Sequence, residues 1–336
     1  MTTVNVGIIG LGSWGECHVE AYRSLPNVRI AAICDTREER LAEIGDRFGI
    51  ETRSRYTHYE EMLERSDLDL VSVVTFEKDH LTPTLAALAG CKHVLVEKPI
   101  TTRLKEAKEM YDAAVRHDRH LLPGHLLRFD PRYMDIHRSI RSGSLGKPVS
   151  MYFKRSRQRS LFDTYCRTNT VYELTVHDLD LAIWYADSPV KSVQAYGRHV
   201  SGSTAPEVLW VNLEFENGIL AVLHSNWMTP DKAGIAINDA VEVIGDTGIA
   251  HFETASGGLQ VWNNSGRFNP DFHIHHTADG IVYGALREQL QYICNCIVQG
   301  TEPSLISFTD AIRVIEAADA IVLSCETGQR IELGCS

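Results

Sequence analysis

The sequence shows no C-x-x-C spacing. Its eight cysteines are scattered, and Cys294 and Cys296 form only a C-x-C inside a helical pattern. Free thiols in a reducing compartment are the reading this supports. No apolar run approaches the length needed to span a bilayer. Basic charge is not in excess either: a net charge of −11 argues against nucleic acid or an anionic membrane surface as the main partner. There is no internal repeat and no long low-complexity tract. Two threonines lead straight into an apolar run, without a basic segment or a signal-type core, so cytoplasmic residence is expected. What remains is ordinary for a soluble globular protein. Hydrophobic residues make up 44% and charged ones 23% of 336 residues, with room for two domains.

What is present is concentrated in the first forty residues. Val4 to Ile9 form a short apolar run, followed by Gly10-Leu11-Gly12-Ser13-Trp14-Gly15 and a helical stretch. A second apolar run, Val28 to Cys34, ends on Asp35. Strand, G-x-G-x-x-G, helix, strand and acid in this order form the dinucleotide-binding arrangement. Gly10 permits the tight turn, Gly12 lets the backbone approach a pyrophosphate, and Gly15 lets the helix pack on the sheet. The pyrophosphate would face free N–H groups at the positive end of the helix. Asp35 lies 20 residues beyond Gly15 (35 − 15), where a carboxylate accepts hydrogen bonds from the adenosine ribose. Such an acid suits NAD and repels the 2′-phosphate of NADP. Arg37, two residues on, can meet a phosphate, so NADP stays open beside the favoured NAD.

Strands and helices alternate up to residue 123, which predicts a doubly wound parallel sheet over residues 1–123. Residues 124–336 read differently. Leu209, Val211, Leu213 and Phe215 alternate with polar neighbours, Asn217-Gly218 signals a hairpin, and Ile219 to Trp227 returns. A helix around Glu173 to Tyr185 interrupts the strands, and two helices close the chain. The expectation is an α+β domain with a mostly antiparallel open sheet. Its uncovered face calls for a partner subunit, hence a homodimer or homotetramer through that sheet.

In order and spacing the chain resembles the Gfo/Idh/MocA family of nicotinamide-dependent sugar and polyol oxidoreductases. The resemblance rests on the glycine-rich turn with Asp35; on Thr75 and His80; on GCKHVLVEKP ending at Pro99; on GHLLRFDP from Gly124; on GSLGKP from Gly143; and on VHDLDLAIW from Val176. It implies that the Glu97-Lys98-Pro99 segment and the later histidine helix meet at the nicotinamide. Thr75, His80, Glu97 and Lys98 then join Gly10, Gly12, Ser13, Trp14, Gly15, Asp35 and Arg37 around the cofactor. The implied activity is hydride transfer between NAD and a secondary hydroxyl of a sugar, inositol or related carbohydrate, without a metal. The same scaffold serves glycosidases that retain NAD and non-catalytic regulators that sense a dinucleotide.

The residues themselves fit that chemistry. Lys98 follows a parallel strand at its carboxyl end, where ligands bind in open α/β sheets. His177 is a plausible general base, because imidazole titrates near working pH. On spacing alone it reads equally as a core or surface histidine. Glu173 lies four residues earlier, on the same face if helical. The family pattern usually has aspartate there. Glutamate would orient His177, relay its proton or hold a substrate hydroxyl, or else mark altered substrate geometry or weakened catalysis. Asp180 reaches the substrate, or it faces water or caps, the two roles open to Asp178 as well. Arg155, Arg157 and Arg159 share parity on a predicted strand, with Arg167 beyond. They suit an anionic substrate, or ion pairs across a subunit interface. His125 borders the sugar or packs. His273, His275 and His276 have a metal-like composition but no ligand spacing, and read as a loop near the site mouth.

Overall fold

The computed structural model describes residues 3–255, 259–263, 266–268 and 270–334. The first strands and helices are β1 (Val4–Ile9), α1 (Ser13–Arg23), β2 (Val28–Cys34), α2 (Glu38–Phe48), β3 (Arg55–Tyr56), α3 (Tyr59–Leu63), β4 (Leu70–Val73), α4 (Leu81–Ala89), β5 (His93–Val96), α5 (Leu104–His117) and β6 (Leu121–Pro123). The six strands form one sheet in the order β3-β2-β1-β4-β5-β6, and every pairing is parallel. Val6, Ile8, Ile33, Val71, Val94 and Leu95 are wholly buried. Strands covered on both faces by helices have no solvent side, which is why they read as apolar runs without alternation. The expected doubly wound sheet is present.

The next elements are α6 (Pro131–Arg141), β7 (Pro148–Gln158), α7 (Arg159–Tyr165), α8 (Val176–Ala186), β8 (Val190–Arg198), β9 (Val208–Phe215), β10 (Leu220–Thr229), β11 (Ile237–Gly245) and β12 (Ile249–Glu253). Two short hairpins follow, β13 (Val261–Asn263) with β14 (Gly266–Phe268) and β15 (His276–Ala278) with β16 (Ile281–Tyr283). The chain then forms α9 (Ala285–Gln299), α10 (Phe308–Thr327) and β17 (Ile331–Glu332). The second large sheet runs β12-β11-β7-β10-β9-β8-β17. Only the β7–β10 pair is parallel, so the sheet is mixed and mostly antiparallel, as expected. Met151, Phe153, Val211, Leu223 and Val243 point to its packed face. Tyr196, Trp210, Leu220 and Ile249 lie on the other face and are exposed. There Trp210 stacks on His224 of the neighbouring strand, ring centroids 4.0 Å apart.

Contact density divides the chain into two compact units, residues 1–130 with 272–312, and residues 131–271 with 313–336. The sequence reading draws one boundary, at 123/124. The difference has a physical source in α9. Its stripe of Leu286, Leu290 and Ile293 is wholly buried, and the helix packs against α1. A hydrophobic stripe declares that a helix is covered, not what covers it.

Candidate active site

The glycine-rich turn is built by close approaches. Gly10 has φ +94°, and a Cβ there would sit 2.6 Å from the Val74 carbonyl oxygen. A Cβ on Gly15 would come within 2.0 Å of the Gly10 oxygen. Both positions exclude any larger residue on protein contacts alone. Gly12 differs: a Cβ there meets nothing within 4 Å. Its missing side chain leaves open space at the start of α1, and no side chain caps that helix end. A helix N-terminus with uncapped N–H groups and a vacant approach suits a pyrophosphate. The residues present therefore fit a bound dinucleotide. Ser13 and Trp14 open the helix beside this space.

Asp35 stands at the end of β2 and is already engaged. Its Oδ2 accepts the Leu11 N–H at 2.8 Å, and its Oδ1 accepts the Arg37 backbone N–H at 3.0 Å. The Arg37 guanidinium then grips both oxygens, at 3.0 and 3.2 Å. Burial alone would raise the Asp35 carboxyl, but the Arg37 side chain and the two backbone donors outweigh it and hold it below the usual range. The Arg37 side chain is 62% exposed, whereas that of Asp35 is 8% exposed.

Beyond β5 the loop carries Glu97, Lys98 and a cis Lys98–Pro99 bond. Glu97 is buried and faces inward. The His18 Nε2–H donates to its Oε1 at 2.9 Å, and the Lys98 backbone N–H donates to its Oε2 at 3.1 Å. Burial pushes this carboxyl up, yet His18, Trp14 and Lys98 together keep it low. His80 is also buried. Its Nδ1 lies 3.0 Å from the Pro99 oxygen and its Nε2 lies 3.1 Å from the Thr75 oxygen. Each ring nitrogen thus faces a backbone carbonyl oxygen, and burial lowers its pKa. Glu97 and His80, expected at the cofactor, brace the loops after β4 and β5. Thr75 remains more open, its hydroxyl on the Asp79 carbonyl at 3.2 Å. His125 is buried just past β6.

His177 sits on α8, and α8 does not begin as an ordinary helix. Val171–Thr175 form a π-helical turn that runs directly into it. Such turns are uncommon and cluster at functional sites. The segment is pinned from several sides. Thr175 Oγ1 donates to Ser225 Oγ at 2.8 Å, Trp227 Nε1 to Thr170 Oγ1 at 3.1 Å, and the Tyr172 hydroxyl to Asp319 at 2.5 Å. From Glu173 to Ile183 every residue is buried except His177, which is part-exposed. Glu173 lies 3.8 Å from the Arg167 guanidinium. Asp180 is buried, so the solvated role offered for it does not hold.

The arginines differ most from expectation. Arg159 is not on the strand; it opens α7. Arg155 is 2% exposed and bound within its own chain. It donates to Asp178 Oδ1 at 2.7 and 3.2 Å and to Asp239 Oδ2 at 2.9 Å. Arg157 grips Asp239 as well, at 2.5 and 3.1 Å. Burial would raise Asp239, but two guanidiniums overcome it and its pKa falls. Asp178 goes the other way: burial dominates and raises it despite Arg155. Its Oδ2 has no hydrogen-bond partner among the described residues, which leaves its charge half-compensated. Arg155 and Arg157 were offered as substrate contacts or subunit-interface pairs. Here they serve an intrachain charge cluster that ties β7 to β11, with Arg155 tying α8 to both.

Sequence reasoning missed His18 and Asp239. His18 carried a signal, since it lies four residues after Trp14 and four before Tyr22 on one helix face. Asp239 carried none, because register alone sets it opposite Arg155. The histidine tract also resolves late: His275 Nε2 pairs with Glu20 of α1 at 2.9 Å.

A family model described as an oxidoreductase family with an NAD-binding Rossmann fold matches residues 4–125. A second, the GFO/IDH/MocA C-terminal domain, matches residues 133–251. The chain belongs to the GFO/IDH/MocA oxidoreductase family. Among GFO/IDH/MocA relatives, myo-inositol 2-dehydrogenase of Thermotoga maritima is 27% identical over 252 residues, 73% of this chain and 74% of that one. The scyllo-inositol 2-dehydrogenase (NAD(+)) of Bacillus subtilis is 25% identical, covering 98% of this chain and 96% of its own. The crystal structure of scyllo-inositol dehydrogenase from Lactobacillus casei with NAD(H) and scyllo-inositol superposes with a TM-score of 0.84. It is 18% identical and covers 98% of this chain and 99% of that chain. This GFO/IDH/MocA protein is thus an NAD-binding oxidoreductase of CH–OH groups, of the type that includes the inositol and sugar dehydrogenases. Among the described residues, no helix is long and apolar enough to cross a membrane.

Proposed function

We propose that the chain oxidises a secondary hydroxyl of an inositol, sugar or related polyol, with His177 as general acid/base and Lys98 assisting. The observation that carries this is the opening at His177 in an otherwise buried helix segment. A general base must reach its substrate, and the neighbours of His177 cannot. Bound NAD supplies the hydride acceptor. His177 takes the hydroxyl proton as the carbon is oxidised, and gives it back in the reverse direction. The Lys98 ammonium donates a hydrogen bond to the same oxygen and favours the alkoxide. Glu173, paired with Arg167, orients the start of the histidine helix. Asp35 receives the ribose once Arg37 swings out, which favours NAD over NADP. Residues 1–123 hold the cofactor, and residues 124–336 hold substrate and form the oligomer, in the cytoplasm. The exposed apolar face around Trp210 is the surface through which two copies pair.

The test is a screen of inositols, sugars and uronates with NAD, following reduced nicotinamide. Turnover of a neutral polyol that is lost in His177→Ala supports the reading. Release of an aglycone without net NADH overturns it in favour of an NAD-retaining glycosidase. Full turnover by the Lys98→Ala, His177→Ala double variant removes both residues from the chemistry.

A further inference from the structure

Helix α1 does two things. Its N-terminus offers the open approach at Gly12, and one face of its body carries three aromatic rings. Trp14 and His18 meet edge to face at 6.2 Å, and His18 and Tyr22 lie 6.2 Å apart. This face is fastened to the sheet twice. The Tyr22 hydroxyl pairs with Ser72 Oγ of β4 at 2.7 Å, and His18 holds Glu97 just past β5. His18 has no exposed surface. Glu97 lends its second oxygen to the Lys98 backbone N–H. Gly124 closes the back of the carboxylate: a Cβ there would sit 2.9 Å from Glu97 Cδ and both its oxygens. An ionised carboxylate enclosed this way is costly unless fully bonded. Here it is bonded to the cofactor helix on one side and to the Lys98 backbone on the other.

We propose that His18 and Glu97 are positioning residues that couple dinucleotide binding at α1 to the placement of Lys98. The proposal rests on the reading of Lys98 as a catalytic group. Dinucleotide on the helix N-terminus stiffens α1, and the His18–Glu97 bond passes that order to residues 97–100. Neither side chain touches the reacting atoms. Their removal leaves the N-terminal N–H groups of α1 intact, so dinucleotide still binds. The Lys98 backbone loses its tether, and misplacement of a catalytic group by about 1 Å costs on the order of 10²-fold in rate.

The experiment measures hydrogen exchange of the full chain, with and without NAD, in the wild type and in His18→Ala, His18→Gln and Gly124→Ala. NAD affinity is measured in parallel by quenching of tryptophan fluorescence. In the wild type, NAD is expected to slow exchange in the peptide covering residues 94–104. In His18→Ala, NAD affinity falls less than about threefold, yet this protection is lost. His18→Gln restores part of it, because its amide can donate to Glu97. Gly124→Ala, which pushes the carboxylate without altering His18, reproduces the loss even if His18→Ala does not fold. Unchanged protection in either His18→Ala or Gly124→Ala overturns the coupling. Turnover separates this from the catalytic reading. Coupling predicts that His18→Ala slows the wild type but adds nothing on a Lys98→Ala background. If Lys98→Ala keeps full turnover, the catalytic reading fails, while the exchange result still judges the coupling.

Discussion

The glycine-rich turn and the charge cluster behind α8 are assembled by opposite means. At the turn, the lining residues run from Gly10 to Asp35, the Val74 carbonyl closes on Gly10, and backbone approach does the selecting. Behind α8, Arg155, Asp178 and Asp239 come from three elements spaced across 84 positions, and side-chain charge does the selecting. The first arrangement tolerates almost no volume. The second tolerates almost no uncompensated charge. A local site is therefore broken by adding a methyl group, and a dispersed site by removing a charge.

The largest effect should come from His177→Ala. Loss of a general acid/base lowers kcat by about 10²–10⁴-fold, while the melting temperature moves little because His177 is part-exposed. A full rate in this variant would empty the second region of its chemistry. Next is Arg155→Met, which strips buried Asp178 of its guanidinium partner and leaves Asp239 to Arg157. A cost of about 3–5 kcal/mol is expected in denaturant unfolding. Replacing the exposed Arg29 of the Arg29–Asp67 pair should cost at most about 1 kcal/mol. Equal losses from the two would show that Arg155 is not the keystone the geometry makes it.

The two glycines sharpen the other side of the comparison. Gly15→Ala collides with the Gly10 oxygen, so it should lower stability and NAD affinity together. Gly12→Ala meets no protein atom, so melting without NAD should stay within about a degree of wild type while NAD affinity falls at least about tenfold. Parallel behaviour of the two variants would remove the assignment of the open space to a pyrophosphate. The smallest effect is on pH. Glu97 has its folded pKa below its ordinary 4.5. Its stabilisation is therefore present above that value and is lost as pH falls through the folded pKa. In Glu97→Gln this pH-dependent part disappears, and stability should decline less steeply below 4.5. Identical acid slopes would show that the His18 pair contributes nothing to folding.

Much of the first unit was legible in advance. Apolar runs, glycines and one acid declare strand, turn and helix in consecutive residues, and β1 and β2 lie where the sequence places them. The hairpin at Asn217-Gly218 was readable for the same reason, with Gly218 at φ +86°. The arginines were not readable. Shared parity places Arg155 and Arg157 on one face, but it says nothing about which carboxylates lie opposite. The start of α8 was half-readable. Glu173 and His177 do belong to one helical segment, but the π-helical turn between them depends on Thr170, Thr175 and their partners on β10.

By itself the sequence determined the dinucleotide turn, the parallel sheet, the alternating strands of the second sheet and the family, because each is written in neighbouring residues whose backbone preferences act locally. Tertiary structure alone decided that Glu97 turns inward to His18, that His80 serves backbone carbonyls, and that Arg155 is spent on Asp178 and Asp239. Those outcomes depend on which charged and polar groups meet once water is excluded. The energy of such a meeting belongs to the pair and its burial, and no single residue carries it along the chain.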